Sequence, residues 1–154
     1  MKVLFVCTGN TCRSSMAGAL ARKMLEEKGG EDIQISSAGI AAFSGEPASR
    51  EAVEVMAELG ISLHEHRAAL LTPEDIREAD LVLTMTSGHR EYIKRLVPHS
   101  QGKIFTLADY AGDNEDIPDP IGYPLEAYRG CARRLAELVA RSLEKLGRER
   151  LYPN

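Results

Sequence analysis

Val3-Leu4-Phe5-Val6 is an unbroken apolar run, too short for a helix and apolar on both faces that a strand would present. A run of this kind belongs in a parallel sheet covered on both sides. Further short runs with strand character occur at residues 33–37, 81–85 and 103–107. The segments between them carry helical spacing. Met16, Ala17, Leu20 and Met24 form one inward stripe, with Ser14 or Ser15 as the expected cap and Gly29-Gly30 as the stop. Pro47 stands near the start of a second helix bearing Val53, Val55, Met56 and Leu59, which Gly60 ends. Thr72-Pro73-Glu74-Asp75 has the cap, proline and first-turn acids of a helix start. Thr86 or Ser87 opens a fourth helix that ends before Pro98. Residues 109–123 read as loop, and Pro124 opens a long last helix with Leu125, Tyr128, Cys131, Leu135, Leu138, Val139, Ser142 and Leu146 on one stripe.

Strands alternating with helices imply an α/β fold in three layers. With right-handed crossovers, four strands are expected in a parallel sheet of order 2-1-3-4, helices on both faces. The 154 residues suit a single domain, 1–154, with no linker or repeat. In such sheets ligands bind beyond the carboxyl ends of the strands at the switch point, which is the end of the first strand. Cys7 sits there.

The stretch that follows is Cys7-Thr8-Gly9-Asn10-Thr11-Cys12-Arg13-Ser14-Ser15. A short loop leaving a strand and entering a helix can aim several backbone N–H groups at one point and cradle an anion. Gly9 permits close approach or a left-handed turn, and Asn10 is the next residue type to tolerate positive φ. Arg13 offers a planar fork that matches two phosphate oxygens. Thr8, Gly9, Asn10, Thr11, Cys12, Arg13 and Ser14 are therefore the expected phosphate-binding residues. Backbone donors, the helix N-terminus and Arg13 all favour a thiolate at Cys7, which then faces a bound phosphoryl group as a nucleophile. Ser14 can hydrogen-bond the sulfur and help it leave. A lone Cys at a strand end is usually a small buried hydrophobe. Cys-x5-Arg-Ser at the first strand–helix turn is far more specific. The reaction also needs a proton donor. Asp113, Asp116 and Asp119 all lie in the 109–123 loop, and their residue type and position leave the three open.

The net charge of −4 argues against a general nucleic-acid or membrane-surface binder. The run after Met1-Lys2 is too brief for a secretory signal, and the expected location is cytoplasmic. Three cysteines, Cys7, Cys12 and Cys131, make no disulfide framework or zinc pattern. No metal or cofactor is expected.

These residues carry a resemblance. The whole chain resembles the low-molecular-weight protein tyrosine phosphatase family: C-T-G-N-T-C-R-S matches its signature, Ser36-Ser37-Ala38-Gly39 its S-A-G, Asp80-Leu81-Val82-Leu83-Thr84-Met85 its third strand, and Asp119-Pro120 its acid loop. The resemblance implies a phosphocysteine intermediate on Cys7, with Arg13 holding the phosphoryl group and Asp119 as general acid and base. It also implies Ser37 and His66 as supports, His66 bonding Asn10. His64 and His89 are expected at the surface, and Cys131 in the core. Many relatives carry a cysteine at the position of Cys12, which implies a reversible redox pairing with Cys7.

The chain departs from the tyrosine-specific pattern at Thr11, usually aliphatic, and at Ile121-Gly122, where an aromatic usually follows Asp-Pro. Bacterial protein-arginine phosphatases of the family share C-T-G-N-T-C-R-S, so the resemblance is strongest to that branch. A threonine hydroxyl can accept a hydrogen bond from a guanidinium, and the Asp119 carboxylate can pair with it. Phosphoarginine in proteins is the expected substrate and inorganic phosphate the product, with phosphotyrosine as the alternative. Arsenate reductases share the loop but need relay cysteines after the third strand, where this chain has Leu83-Thr84-Met85-Thr86-Ser87.

Overall fold

The computed structural model describes residues 1–30 and 32–153. Four parallel strands, β1 (Lys2–Cys7), β2 (Gln34–Gly39), β3 (Leu81–Thr84) and β4 (Ile104–Thr106), form a sheet in the order β2-β1-β3-β4. The expected topology is the observed one. Phe5 pairs with Ser37 on one side and Leu83 on the other. Cys7 pairs with Gly39 at the carboxyl end of β1.

The two faces of β1 enter different cores, because successive side chains point to opposite sides. Val3, Phe5 and Cys7 pack with α1 (Arg13–Lys28), α2 (Arg50–Glu58) and α6 (Leu125–Leu151) through Met16, Leu20, Val55, Met56, Leu135 and Leu138. Leu4 and Val6 pack with α3 (Pro73–Glu78) and α4 (Ser87–Leu96) through Ile76 and Ile93. Each such side chain fully buried contributes roughly 1.5–3 kcal/mol relative to exposure. A β1 buried on both faces fixes the position of Cys7 from behind.

Helix ends follow local chemistry. Gly29 takes the left-handed conformation past α1, with φ 69°. At α3, Thr72 and Asp75 form a reciprocal capping box around Pro73. Thr86 caps α4 by accepting the His89 N–H.

Several expectations need correction. α1 begins at Arg13 after Cys12 with no side-chain cap, and Ser14 and Ser15 lie inside its first turn. Their hydroxyls are used elsewhere: Ser15 donates to the Cys12 carbonyl at 2.8 Å, and Ser14 sits against Cys7. Leu59 is 45% exposed rather than inward, since α2 ends one residue before it. Two short elements were not expected, a 3-10 turn at Pro98–Lys103 and α5 (Leu107–Tyr110), so the final loop starts after Tyr110. Cys131 is only partly buried, against the edge of the core. No helix among the described residues is long and apolar enough to cross a membrane.

Candidate active site

The turn from β1 into α1 is built around Asn10. It is fully buried and, among the described residues, is the one non-glycine residue with positive φ, 58°, a conformation that Asn tolerates better than most. Its side chain makes three hydrogen bonds. Nδ2 donates to Ser14 Oγ at 2.8 Å and Ser37 Oγ at 3.0 Å, while Oδ1 accepts the Ala69 N–H at 3.0 Å. His66 Nε2 donates to the Asn10 carbonyl at 2.6 Å. That bond places the proton on Nε2, and burial pushes the His66 pKa down. Ser37 and His66 are each hydrogen-bonded to Asn10.

Gly39 makes the turn possible. A Cβ on it would stand 2.5 Å from the Thr8 carbonyl oxygen and 2.9 Å from the Asn10 nitrogen. The end of β2 and the loop can approach this closely only with glycine there.

Cys7 is buried at the base of the loop. The Asn10 N–H donates to its Sγ at 3.2 Å, and Ser14 Oγ lies 2.8 Å away. Ser14 accepts from Asn10, and its one proton can go to the sulfur at 2.8 Å or to the Ala38 carbonyl at 3.5 Å.

Arg13 is buried, and three segments hold its guanidinium. Nη1 donates to the Ile117 carbonyl at 3.0 Å, Nη2 donates to Thr8 Oγ1 at 3.4 Å, and Nη2 pairs with Asp119 at 3.5 Å. The three candidate acids separate here. Asp113 pairs with Arg134 at 3.6 Å. Asp116 accepts both the N–H and the hydroxyl of Ser87, at 3.0 Å each. Asp119 alone of the three meets Arg13, and its side chain remains 41% exposed.

Thr11 is half-buried, its hydroxyl engaged among the described residues only by Cys12 Sγ at 3.9 Å. Cys12 leans on Ser49 Oγ at 3.5 Å, and burial pushes its pKa up. Burial also pushes the Cys131 thiol up to about 12. Asp119 shares a groove of about 350 Å³ with Pro120, Tyr123 and Cys131. Tyr123, which follows Ile121-Gly122, is 66% exposed and lines the same groove. No group of three or more His, Cys, Asp or Glu among the described residues could hold a metal ion.

His89 is a correction. It is 5% exposed, not at the surface, and its Nε2 lies 2.9 Å from Thr8 Oγ1. Burial, then the Arg13 charge, lowers its pKa to about 4. Its sequence signal was the four-residue spacing to buried Ile93 on the inward face of α4.

Residues 2–151 match the family model for low molecular weight phosphotyrosine protein phosphatase. The chain is 44% identical over 149 residues to a protein-arginine-phosphatase of Geobacillus stearothermophilus, covering 96% of this chain and 97% of that one. Its fold matches YwlE arginine phosphatase, solved as a cysteine-to-serine mutant with the active-site serine phosphorylated, at a TM-score of 0.93 and 37% identity, over 98% and 99% of the two chains. It also matches a low molecular weight protein tyrosine phosphatase from T. tengcongensis at a TM-score of 0.90 and 44% identity, over 94% and 99%. With a family model spanning nearly its whole length and relatives of this identity, the chain belongs to the low molecular weight phosphotyrosine protein phosphatase family, whose chemistry is cysteine-based protein dephosphorylation.

Proposed function

We propose that this chain, acting as one domain in the cytoplasm, removes phosphate from phosphoarginine in proteins. The carrying observation is the Cys7 sulfur at the base of the loop, donated to by the Asn10 N–H at 3.2 Å and 2.8 Å from Ser14 Oγ. Cys7 attacks phosphorus as the thiolate, and the bond from phosphorus to the guanidinium nitrogen breaks. Asp119 gives its proton to that nitrogen. The 8–14 backbone and Arg13 hold the phosphoryl oxygens throughout. In the second step Asp119, now a carboxylate, takes a proton from water, the water oxygen attacks phosphorus, and the S–P bond breaks. Ser14 then donates to the departing sulfur, and inorganic phosphate is released. Cys12 serves as resolving thiol. When peroxide oxidises Cys7 to a sulfenic acid, Cys12 attacks its sulfur, forming a disulfide and releasing water.

The choice of phosphoarginine rests on Thr11 and on the substrate of the arginine phosphatase relatives. A Thr11 hydroxyl with one weak partner has a lone pair for a guanidinium N–H, whereas an aliphatic side chain would leave that donor unpaired. Exposed Tyr123, beside Asp119, favours a second reading in which a phenyl ring stacks there and phosphotyrosine is the substrate. Hydrolysis of matched phosphoarginine and phosphotyrosine peptides separates the two. We expect a preference for phosphoarginine of about tenfold or more, from one hydrogen bond to the guanidinium, and its loss in Thr11→Ile. A wild-type preference for phosphotyrosine would establish the second reading instead.

A further inference from the structure

We infer that His89 is a positioning residue for Arg13, acting through the hydroxyl of Thr8. The inference rests on the reading of Arg13 as the phosphate clamp and adds a residue outside the loop to it.

Thr8 is the exposed residue next to Cys7, and its hydroxyl is one of the three partners of the Arg13 guanidinium. Of these, Ile117 O is backbone, and Asp119 must change partners when substrate arrives. Thr8 is thus the side chain that can keep its bond to Arg13 through the cycle. An exposed threonine does not hold one rotamer unaided. His89 supplies the constraint, because its ring nitrogen 2.9 Å from Thr8 Oγ1 occupies one of the hydroxyl's bonding directions. In either tautomer of the ring, the remaining directions of the hydroxyl are fixed, one of them toward Arg13.

His89 is itself held firmly. Its backbone N–H donates to Thr86 Oγ1 at 3.1 Å, fixing the first turn of α4 just beyond the carboxyl end of β3. The same turn carries Ser87, which binds Asp116 of the acid loop. A ring buried so deeply and so close to Arg13 stays neutral down to a pH of about 4, so it adds no positive charge beside the clamp. Its Nδ1 is buried and has no hydrogen-bond partner among the described residues. A buried polar atom left unpaired is unfavourable, and a leucine would fill the space without that penalty. The ring therefore opposes stability at one nitrogen while ordering the site with the other.

The test compares wild type with His89→Leu, His89→Gln, Thr8→Val and the Thr8→Val/His89→Leu pair. The readouts are kcat and KM on an aryl phosphate, competitive inhibition by inorganic phosphate, and thermal midpoint. His89→Leu is expected to weaken phosphate inhibition and lower kcat/KM by about fivefold to tenfold, the effect of one hydrogen bond, with the thermal midpoint kept or raised. Thr8→Val should do the same, and the pair should be no worse than either alone. His89→Gln, which puts an amide near the place of Nε2, should recover much of the loss. Should His89→Leu not fold, Thr8→Val and His89→Gln still decide the matter. Unchanged phosphate inhibition in Thr8→Val, or additive losses in the pair, would overturn the inference. A wild type that neither binds phosphate nor turns over the aryl ester would instead remove the phosphatase reading beneath it.

Discussion

The 7–13 loop and the 111–124 loop meet at Arg13, and they are held in opposite ways. The first is mostly buried or half-buried, with Thr8 exposed, and is cross-braced from four directions. Ser37 reaches it from β2, Ser14 from α1, His66 and Ala69 from the segment after α2, and Ser49, whose N–H donates to the Thr11 carbonyl at 2.9 Å, from the cap of α2. The second is largely exposed and tied at its base. Ile117 N–H donates to Met85 O, Asp116 binds Ser87, and Arg134 donates to Glu115 O. Past Ile117, Asp119 accepts the Ile121 N–H and meets Arg13. The difference follows from the chemistry each loop performs. Phosphoryl oxygens need donors that do not reorganise during the reaction. A group that gives a proton in one step and takes one in the next needs contact with water and room for a new partner.

The contrast can be broken at several points. The largest effect is expected at the braced loop's nucleophile. Cys7→Ser should lower kcat by about four orders of magnitude or more while phosphate still binds, checked by steady-state kinetics alongside phosphate titration. Asp119→Asn should cost roughly 10²–10⁴ on an ester with a poor leaving group and far less in the first step on an activated aryl phosphate. A leaving-group series measures this, and equal losses across it would mean that Asp119 is not the proton donor. Asn10→Ala removes the centre of the bracing and puts a Cβ residue without a side-chain hydrogen bond at positive φ. It should destabilise the fold by about 3 kcal/mol or more, measured by denaturant unfolding, and lower kcat/KM with it. The mildest effect is on pH. His89 has a folded pKa of about 4 against 6.5 for the free side chain. As pH falls below about 6.5, the unfolded chain takes up a proton that the folded chain refuses. Its contribution is therefore complete above about pH 6.5, and about 2 kcal/mol of it should be gone at pH 5. The lowered pKa of His66 acts in the same direction. Unfolding at pH 7.5 and pH 5 should show a smaller drop in His89→Leu.

The two loops also differed in how far the sequence revealed them. The phosphate loop is contiguous, so its residue types and spacing carry its geometry: a donor-rich turn between a strand and a helix, with Asn10 at the left-handed position. The strand order was equally legible, because each strand is an apolar run and the connections between them leave few topologies. The acid loop is not legible in that way. Asp113, Asp116 and Asp119 have the same side chain in the same kind of loop, and only their partners, Arg134, Ser87 and Arg13, distinguish them. His89 was misplaced for a related reason. Its spacing to Ile93 marks the inward face of α4, but its contact with Thr8 spans 81 residues of chain and has no local signal. Ser14 misled in the reverse sense: a serine at a helix start is usually a cap, but here the hydroxyl faces the cysteine seven residues earlier.

The most direct measurement uses both loops at once. Asp119→Asn is mixed with an activated aryl phosphate, quenched in acid within milliseconds to seconds, and its peptides are weighed. Without the base for the second step, the phosphoryl group should accumulate, adding one phosphate to the peptide that holds Cys7. A quench with no phosphorylated peptide during turnover, or with the phosphate on another residue, would contradict the assignment of Cys7 as nucleophile.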